Sequence, residues 1–408
     1  MGIFLNLAWR NIWRNKRRSL ISIASVLLAV VVALLMRSMQ IGSYNHMIKN
    51  IASFHTGYLQ VQAPEYFEKQ SVNYSFKESA SLKRFIDENE HTTVFAPRLE
   101  SFALVSGGEL TDVGMIIGID PDLENGLSSL ETRLVKGEFL SNSDHKIMLA
   151  EGLADHLKLT VGDTVVILGQ GYHDIMAAGK YNIKGIIKFP MPELNNLIAY
   201  LPLKEAQILL GADDRLTSMA IMIDNQKYLN QTAQMIQNNL GRSYKVMTWE
   251  EMLPEVVQGI ETDNAGGIIM LAVLYVIIGF GILGTILMMT LERIREFGML
   301  LSVGMKRGYL RSVIIAESIF LSLVGVLSGV VVSFPILIYL YFNPIQLTGE
   351  LAESISSYGY EPILPFSLAP SIFLNQGLTV LILALIASIY PVWKINQLNP
   401  VDAMRTGR

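Results

Sequence analysis

Four stretches of the chain are apolar for long enough to cross a bilayer: residues 19–40, 266–291, 312–342 and 372–393. A helix needs about 20 residues to traverse a hydrocarbon core of about 30 Å, and each stretch meets that length. Residues 41–265 hold no such run. Their apolar positions recur every second residue in some short segments and every third or fourth in others. The two-residue period predicts strands at His55–Ala63, Val94–Val105, Val113–Ile119, Thr164–Leu168, Tyr181–Phe189, Asn196–Leu201, Ser218–Ile223 and Lys245–Thr248. The helical period predicts Lys77–Glu90 with Ser75 as its cap, Glu151–Leu159, Leu203–Leu210 and Gln226–Leu240, with a turn at Gly162–Asp163. The expected fold class is an α-helical membrane protein with four transmembrane helices plus a large extracytoplasmic α+β domain between helices 1 and 2. Within that domain, 41–122 and 213–262 read as one subdomain built from both ends, with 123–212 inserted as a β-rich block.

The polar segments between these runs carry the rest of the signal. Residues 292–311 link two spans. Leu291, Ile294, Phe297 and Leu301 recur at helical spacing, while Glu292, Arg293, Arg295 and Glu296 fall elsewhere. This is the pattern of an amphipathic helix at a membrane surface, with Gly298 and Gly304 allowing a bend or a cap. Residues 1–18 read as a second one. Leu5, Ala8, Trp9, Ile12 and Trp13 make an apolar stripe, and Arg10, Arg14, Lys16, Arg17 and Arg18 supply charge for an anionic leaflet. The apolar run after it exceeds a signal-peptide core, so an uncleaved first span is expected, with Arg37 snorkelling at its far end. Pro335 marks a kink in the third span.

Charge sets the expected orientation. Lysine and arginine number five in 1–18, five in 292–311 and three in 394–408, whereas the 343–371 loop has none and three glutamates. Short basic segments stay in the cytoplasm. The chain therefore reads as multi-pass in the inner (cytoplasmic) membrane, with both termini cytoplasmic and 41–265 and 343–371 outside. Residues 41–265 hold 18 basic and 29 acidic side chains, so no basic surplus points to nucleic acid.

Candidate chemistry is sparse. The six histidines (46, 55, 91, 145, 156 and 173) lack ligand spacing, no Ser/His/Asp arrangement is arguable, and there is no cysteine. No catalytic residue, cofactor or metal is expected. Asp213-Asp214 reads as a loop or helix start. No G-x-x-x-x-G-K-[ST] nucleotide loop occurs; Gly179-Lys180 is followed by Tyr181. Glu317 is the sole acid within the apolar spans, close enough to the 292–311 arginines to pair with one of them near the interface. Gly325 and Gly329 form a small-residue pair in the third span, read as packing within the chain, and Gly279, Gly281 and Gly284 cluster in the second.

Four segments carry a resemblance. LERIREFGMLLSVGMKR (291–307) resembles the cytoplasmic coupling helix of FtsX-like permeases of ABC transporters, which include MacB-type and lipoprotein-releasing Lol-type (LolC/LolE-like) subunits. LNLAWRNIWRNKRRSLISI (5–23) resembles that family's N-terminal helix, LAEGLADHLKLTVGDTVVIL (149–168) its outer domain, and PVWKINQLNPVDAMR (391–405) its closing motif. HTGYLQVQAPEY (55–66) looks most like the Lol-type group. The resemblance implies an element at Glu292, Arg293, Arg295, Glu296, Phe297, Gly298 and Gly304 that docks into a separate ATPase subunit, present in two copies. It implies a dimer with a second permease, identical or related. It places the second span beside the dimer axis, with Leu271, Leu274, Ile278, Ile282 and Met289 as candidates for a cavity holding a lipid-anchored substrate. Gly169–Lys180, read from its residues as a flexible hairpin, resembles in position a hook that recruits a soluble lipoprotein carrier, but it lacks the hook's proline. The implied activity is extraction of lipoproteins from the outer leaflet by mechanical transmission. The alternatives are a MacB-like efflux permease for amphiphiles or peptides working with an adaptor, and a non-transporting module that activates a periplasmic hydrolase.

Overall fold

A computed structural model describes residues 9–10, 12–14, 16–357 and 361–397. Leu5 and Ala8 of the N-terminal stripe, and the closing motif beyond Gln397, lie outside the described residues. The chain divides into two units. One gathers the residues up to Asn45, Gly259–Gln346 and those from Ile363 onward. The other gathers His46–Gln258 and Leu347–Pro362, so the loop between the third and fourth spans belongs with the large domain.

The large domain is built on β1 (Leu59–Gln62), β2 (Thr92–Gly107), β3 (Leu110–Ile119), β4 (Leu134–Gly137), β5 (Lys146–Ala150), β6 (Thr164–Gln170), β7 (Met176–Ile187), β8 (Ile198–Pro202), β9 (Ser218–Ile223) and β10 (Lys245–Thr248). Its helices include α1 (Ala80–Asp87), α2 (Pro121–Ser128), α3 (Glu151–Leu157), α4 (Leu203–Leu210) and α5 (Leu229–Leu240). One end of the sheet runs β10–β1–β9–β2, all antiparallel. From Arg98 onward β2 pairs with β3, and near its end also with β6. The circuit continues β6–β7–β5–β8–β3, so six strands close a ring. Alternation along the strands fills both sides. Ala103, Val105, Ile116, Leu149, Ile167 and Leu201 pack in one core with α3 and α4. Ile117, Ile119, Met148, Ala150, Ile198 and Tyr200 point the other way into a second core.

Several expectations change. The 123–212 block is not self-contained: the ring takes β2 and β3 from the preceding segment, and ring and flanking strands share one sheet. His55 does not begin a strand, because a π-helix occupies Ala52–Thr56 and the strand starts at Leu59. The 77–90 helix shrinks to Ala80–Asp87, entered from Ser79, because Phe76–Lys77 pair with Arg215–Leu216. Of Gly169–Lys180, only residues 171–175 lie between the two strands, and they are held. Asn73 accepts a hydrogen bond from the His173 N–H at 2.6 Å and donates one to Asp174 at 3.1 Å, while Arg215 stacks over Tyr172 at 4.1 Å. The 343–371 loop contains a short helix at Glu350–Ser357 and a two-stranded ladder.

Where β2 enters the ring, Arg98 and Glu124 form a fully buried pair. Arg98 Nε donates to Glu124 Oε2 at 2.9 Å and Nη2 to Oε1 at 2.6 Å, with neither side chain exposed. Burial alone would favour loss of the proton, but Glu124 outweighs it and holds the guanidinium above its usual range. Asp120 caps the helix that carries Glu124 by accepting from the N–H groups of Asp122 and Leu123.

Among the described residues, four helices are long and apolar enough to cross a membrane, Ser19–Ile51, Pro254–Glu292, Arg307–Phe342 and Pro370–Asn396, and most of their length falls in the other unit. The helix holding the first runs from Lys16, and at 36 residues it is about 54 Å long, well beyond a bilayer core. The third packs closely on the first. A Cβ at Gly325 would fall 2.7 Å from Val26 Cβ, and one at Gly329 would fall 2.8 Å from Val30 Cβ.

Candidate functional site

The segment between the second and third spans folds as a helix, Ile294–Ser302. Its apolar face is split. Phe297 is buried in the membrane unit's core, with Ile294, Leu301 and Met305 packed against that core, while Met299, Leu300 and Val303 are exposed, Val303 by 84%. The helix ends in a Schellman motif. Gly304 has φ +99°, its N–H bonds to the Leu301 carbonyl at 3.1 Å, and the Met305 N–H reaches the Leu300 carbonyl at 3.0 Å. Gly298 lies buried inside the helix rather than at a bend. Gly304→Ala is expected to loosen this end by about 1 kcal/mol, because the left-handed backbone strains any side chain. Faster amide exchange confined to 294–305 is the measure.

Four charged residues form a chain across this helix. Arg14 Nη2 contacts both Glu296 oxygens at 2.7 Å. Arg293 Nε donates to Glu296 at 3.2 Å, and its Nη1 donates to Glu317 at 2.7 Å. The Arg293 guanidinium also lies 5.0 Å from the Phe297 ring centroid. Glu317 thus pairs with an arginine of the connecting segment, and that arginine is Arg293. The N-terminal segment also touches the third span through Trp9 and Phe320, 5.9 Å apart. Arg14 with Arg293, Glu296, Met299, Leu300, Val303 and Tyr309 lines an open groove of about 360 Å³. Glu292 and Arg295 are exposed.

The Glu296 carboxyl lies below its ordinary range, first because Arg14 hydrogen-bonds it, then against the penalty of partial burial, with Arg293 adding to the shift. A carboxylate lowered on folding stabilises the fold fully above its ordinary value and loses that contribution as pH falls through the lowered one. The effect of Arg14→Ala on the mobility of a spin label at residue 303 should hold constant from pH 8 to about pH 5. It should shrink below about pH 4, near the ordinary glutamate value.

A second groove, about 340 Å³, lies between the first and second spans. Leu274, Ile278 and Ile282 line it together with Val26, Ala29 and Val32. Leu271 is buried but does not line it, and neither does Met289. Gly281 also lines the groove, and a side-chain carbon at Gly279, Gly281 or Gly284 would meet no described atom outside the helix within 4 Å. Arg37 does not simply snorkel: Nη1 donates to Gln40 at 2.6 Å and to Asn264 at 2.7 Å. Sequence reasoning missed the roles of Arg14, Asp263 and Asn264, since their partners lie more than 200 residues away and leave no local pattern. Among the described residues no group of three or more His, Asp or Glu could hold a metal.

Comparison with known proteins covers both units. Residues 19–239 match the MacB-like periplasmic core domain, and residues 268–400 match the FtsX-like permease C-terminal region. The chain is 21% identical over 319 residues to the lipoprotein-releasing system transmembrane protein LolC of Xylella fastidiosa, covering 76% of this chain and 77% of LolC. It is 22% identical over 263 residues to the macrolide export ATP-binding/permease protein MacB of Hyphomonas neptunium, covering 62% of this chain and 37% of that one. The periplasmic region of MacB from Actinobacillus actinomycetemcomitans aligns over 52% of this chain and 96% of its own length, with 14% identity and a TM-score of 0.37.

Proposed function

The chain belongs to the FtsX-like family of ABC transporter permeases and carries its MacB-like periplasmic core domain, and from that premise we propose that it extracts lipid-anchored proteins from the outer leaflet of the inner membrane. A separate ATPase subunit supplies the work. The observation that carries this reading is the helix 294–302: its exposed apolar edge and groove are open to a partner, while Phe297 and Arg293 fix it to the membrane core. Closure of two ATPase copies presses on Glu292–Gly304. Arg293 passes the displacement to Glu317 in the third span, and Arg14 couples the N-terminal helix to the same movement. The third span, packed on the first at Gly325 and Gly329, carries it outward.

A second permease, identical or related, meets the second span at the dimer axis, and the groove between the first two spans takes acyl chains. Burying or freeing each methylene involves about 0.8 kcal/mol, so removing a multiply acylated anchor from a bilayer needs an energy source. The charge distribution supports cytoplasmic ends and an outer large domain. The lipoprotein-releasing relative matched over most of its length favours this cargo over small amphiphiles. The 171–175 tip, held by Asn73, is the candidate contact for a periplasmic carrier or adaptor. The test is purification with native partners and mass spectrometry of bound cargo. Lipid-modified polypeptides enriched on an ATP-free complex and released by ATP are the expected result. A small amphiphile or a peptidoglycan hydrolase in their place overturns the reading.

A further inference from the structure

Above the groove, the first two spans are tied by polar side chains. Arg37, Gln40 and Tyr44 fall on one face of the first helix, at i, i+3 and i+7. Arg37 donates to Asn264 at 2.7 Å and to Gln40 at 2.6 Å. Gln40 Nε2 donates to the Asp263 backbone carbonyl at 3.1 Å and to its carboxylate at 3.3 Å. The Tyr44 hydroxyl donates to Asp263 Oδ2 at 2.6 Å. These bonds between the helices end on two adjacent residues of the second. Gly267 lies directly under Gln40, where a Cβ would overlap the carboxamide.

The groove begins below this tie. At about 1.5 Å per residue, Val32 lies about 7.5 Å along the first helix from Arg37, and Leu274 lies about 15 Å along the second from Asn264. The hydroxyls at the groove's far end are already satisfied. Ser25 donates to the Ile21 carbonyl and Thr285 to the Gly281 carbonyl, each at 2.9 Å, so the lining offers an incoming chain almost no polar competition. Gly266-Gly267 sit between tie and groove, and paired glycines are where a helix bends. Four of the five bonds use the Arg37 guanidinium or the Asp263 carboxylate, so the tie is held by charge-assisted hydrogen bonds that break only when both helices are pulled apart or other polar groups take their place.

We propose that Arg37, Gln40, Tyr44, Asp263 and Asn264 form a latch that holds the first two spans together, and that its release admits a hydrocarbon chain to the groove beneath. The side of entry and the identity of the cargo rest on the function proposed above. The helix carrying Asp263 and Asn264 begins at Pro254, in the large domain. A pull on that end reaches the latch before it reaches the membrane core.

The chain has no cysteine, so thiol probes report only where placed. Spin labels at Asn45→Cys and Glu261→Cys, in nanodiscs, should give a narrow distance distribution in the wild type. It should broaden to longer distances in Asp263→Ala with Asn264→Ala. Two fluorescent probes then report entry: a diacylated lipopeptide and a phospholipid with a chain of equal length. Protein-shielded fluorescence of the lipopeptide should rise at least threefold in the double variant. Bridging Gln40→Cys to Gly267→Cys with a reducible cross-linker should abolish it, and reductant should restore it. Entry of the phospholipid but not the lipopeptide keeps the latch and overturns the lipoprotein reading. An unchanged distance distribution, entry of neither probe, or undiminished entry in the cross-linked chain overturns the latch.

Discussion

Glu124→Ala should unfold much of the large domain at physiological temperature. The substitution leaves Arg98 buried without the carboxylate that contacts it at 2.6 and 2.9 Å. Removing one member of a buried ion pair typically costs about 3–5 kcal/mol, a large part of the about 5–15 kcal/mol that holds a domain together. The site magnifies the damage, because Arg98 sits where β2 passes from β9 into the ring. Arg98→Ala should cost a similar amount, whereas Arg98→Met combined with Glu124→Met should recover most of the loss, since neither charge then needs solvation. Hydrogen exchange of residues 92–107 in the full chain measures this. If the double variant is as unstable as the single ones, the penalty lies in packing rather than in charge.

Arg293→Ala should break coupling without breaking the fold of the large domain. Arg293 contacts both Glu296 and Glu317, and both its own side chain and that of Glu317 are about one-tenth exposed. Its loss removes the guanidinium that joins two carboxylates on different helices, Glu296 beside the connecting helix and Glu317 in the third span. Hydrolysis by the partner ATPase, measured with and without the permease, should lose at least nine-tenths of its dependence on it. Arg293→Lys should rescue little, because one ammonium cannot reproduce the guanidinium's divided reach. Glu317→Gln should be milder than Arg293→Ala, since it keeps Arg293 on Glu296 and leaves an amide oxygen that can still accept from the guanidinium. Unaltered coupling in both variants would assign the pair to local packing.

The sequence discloses the parts that depend on local pattern. Leu203–Leu210, Ser218–Ile223 and Lys245–Thr248 emerge with the bounds their periodicity predicts, and the spans follow from apolar length. Misreadings occur where a distant partner decides. His55 and its neighbours read as a strand by alternation, but the helix above them ends through a π-turn. The ring was illegible because its closure pairs Ala103 with Gly169 and Met148 with Tyr200, over separations that no short-range rule reaches. The strand expected over Val94–Val105 runs from Thr92 to Gly107 in the structure, long enough to serve two partners in turn. At helix 294–302, the stripe of Phe297 and Leu301 was readable, as was the need for an arginine near Glu317. Which arginine, and the bond from Arg14 across 282 positions, required coordinates.

The most direct test is the accessibility of residue 303 in a Val303→Cys chain, which carries a single thiol at the 84%-exposed position that follows helix 294–302. A membrane-impermeant maleimide should label it in inverted vesicles and not in intact cells, and bound ATPase should protect it. Labelling in intact cells, or equal labelling with and without the ATPase, would contradict the account.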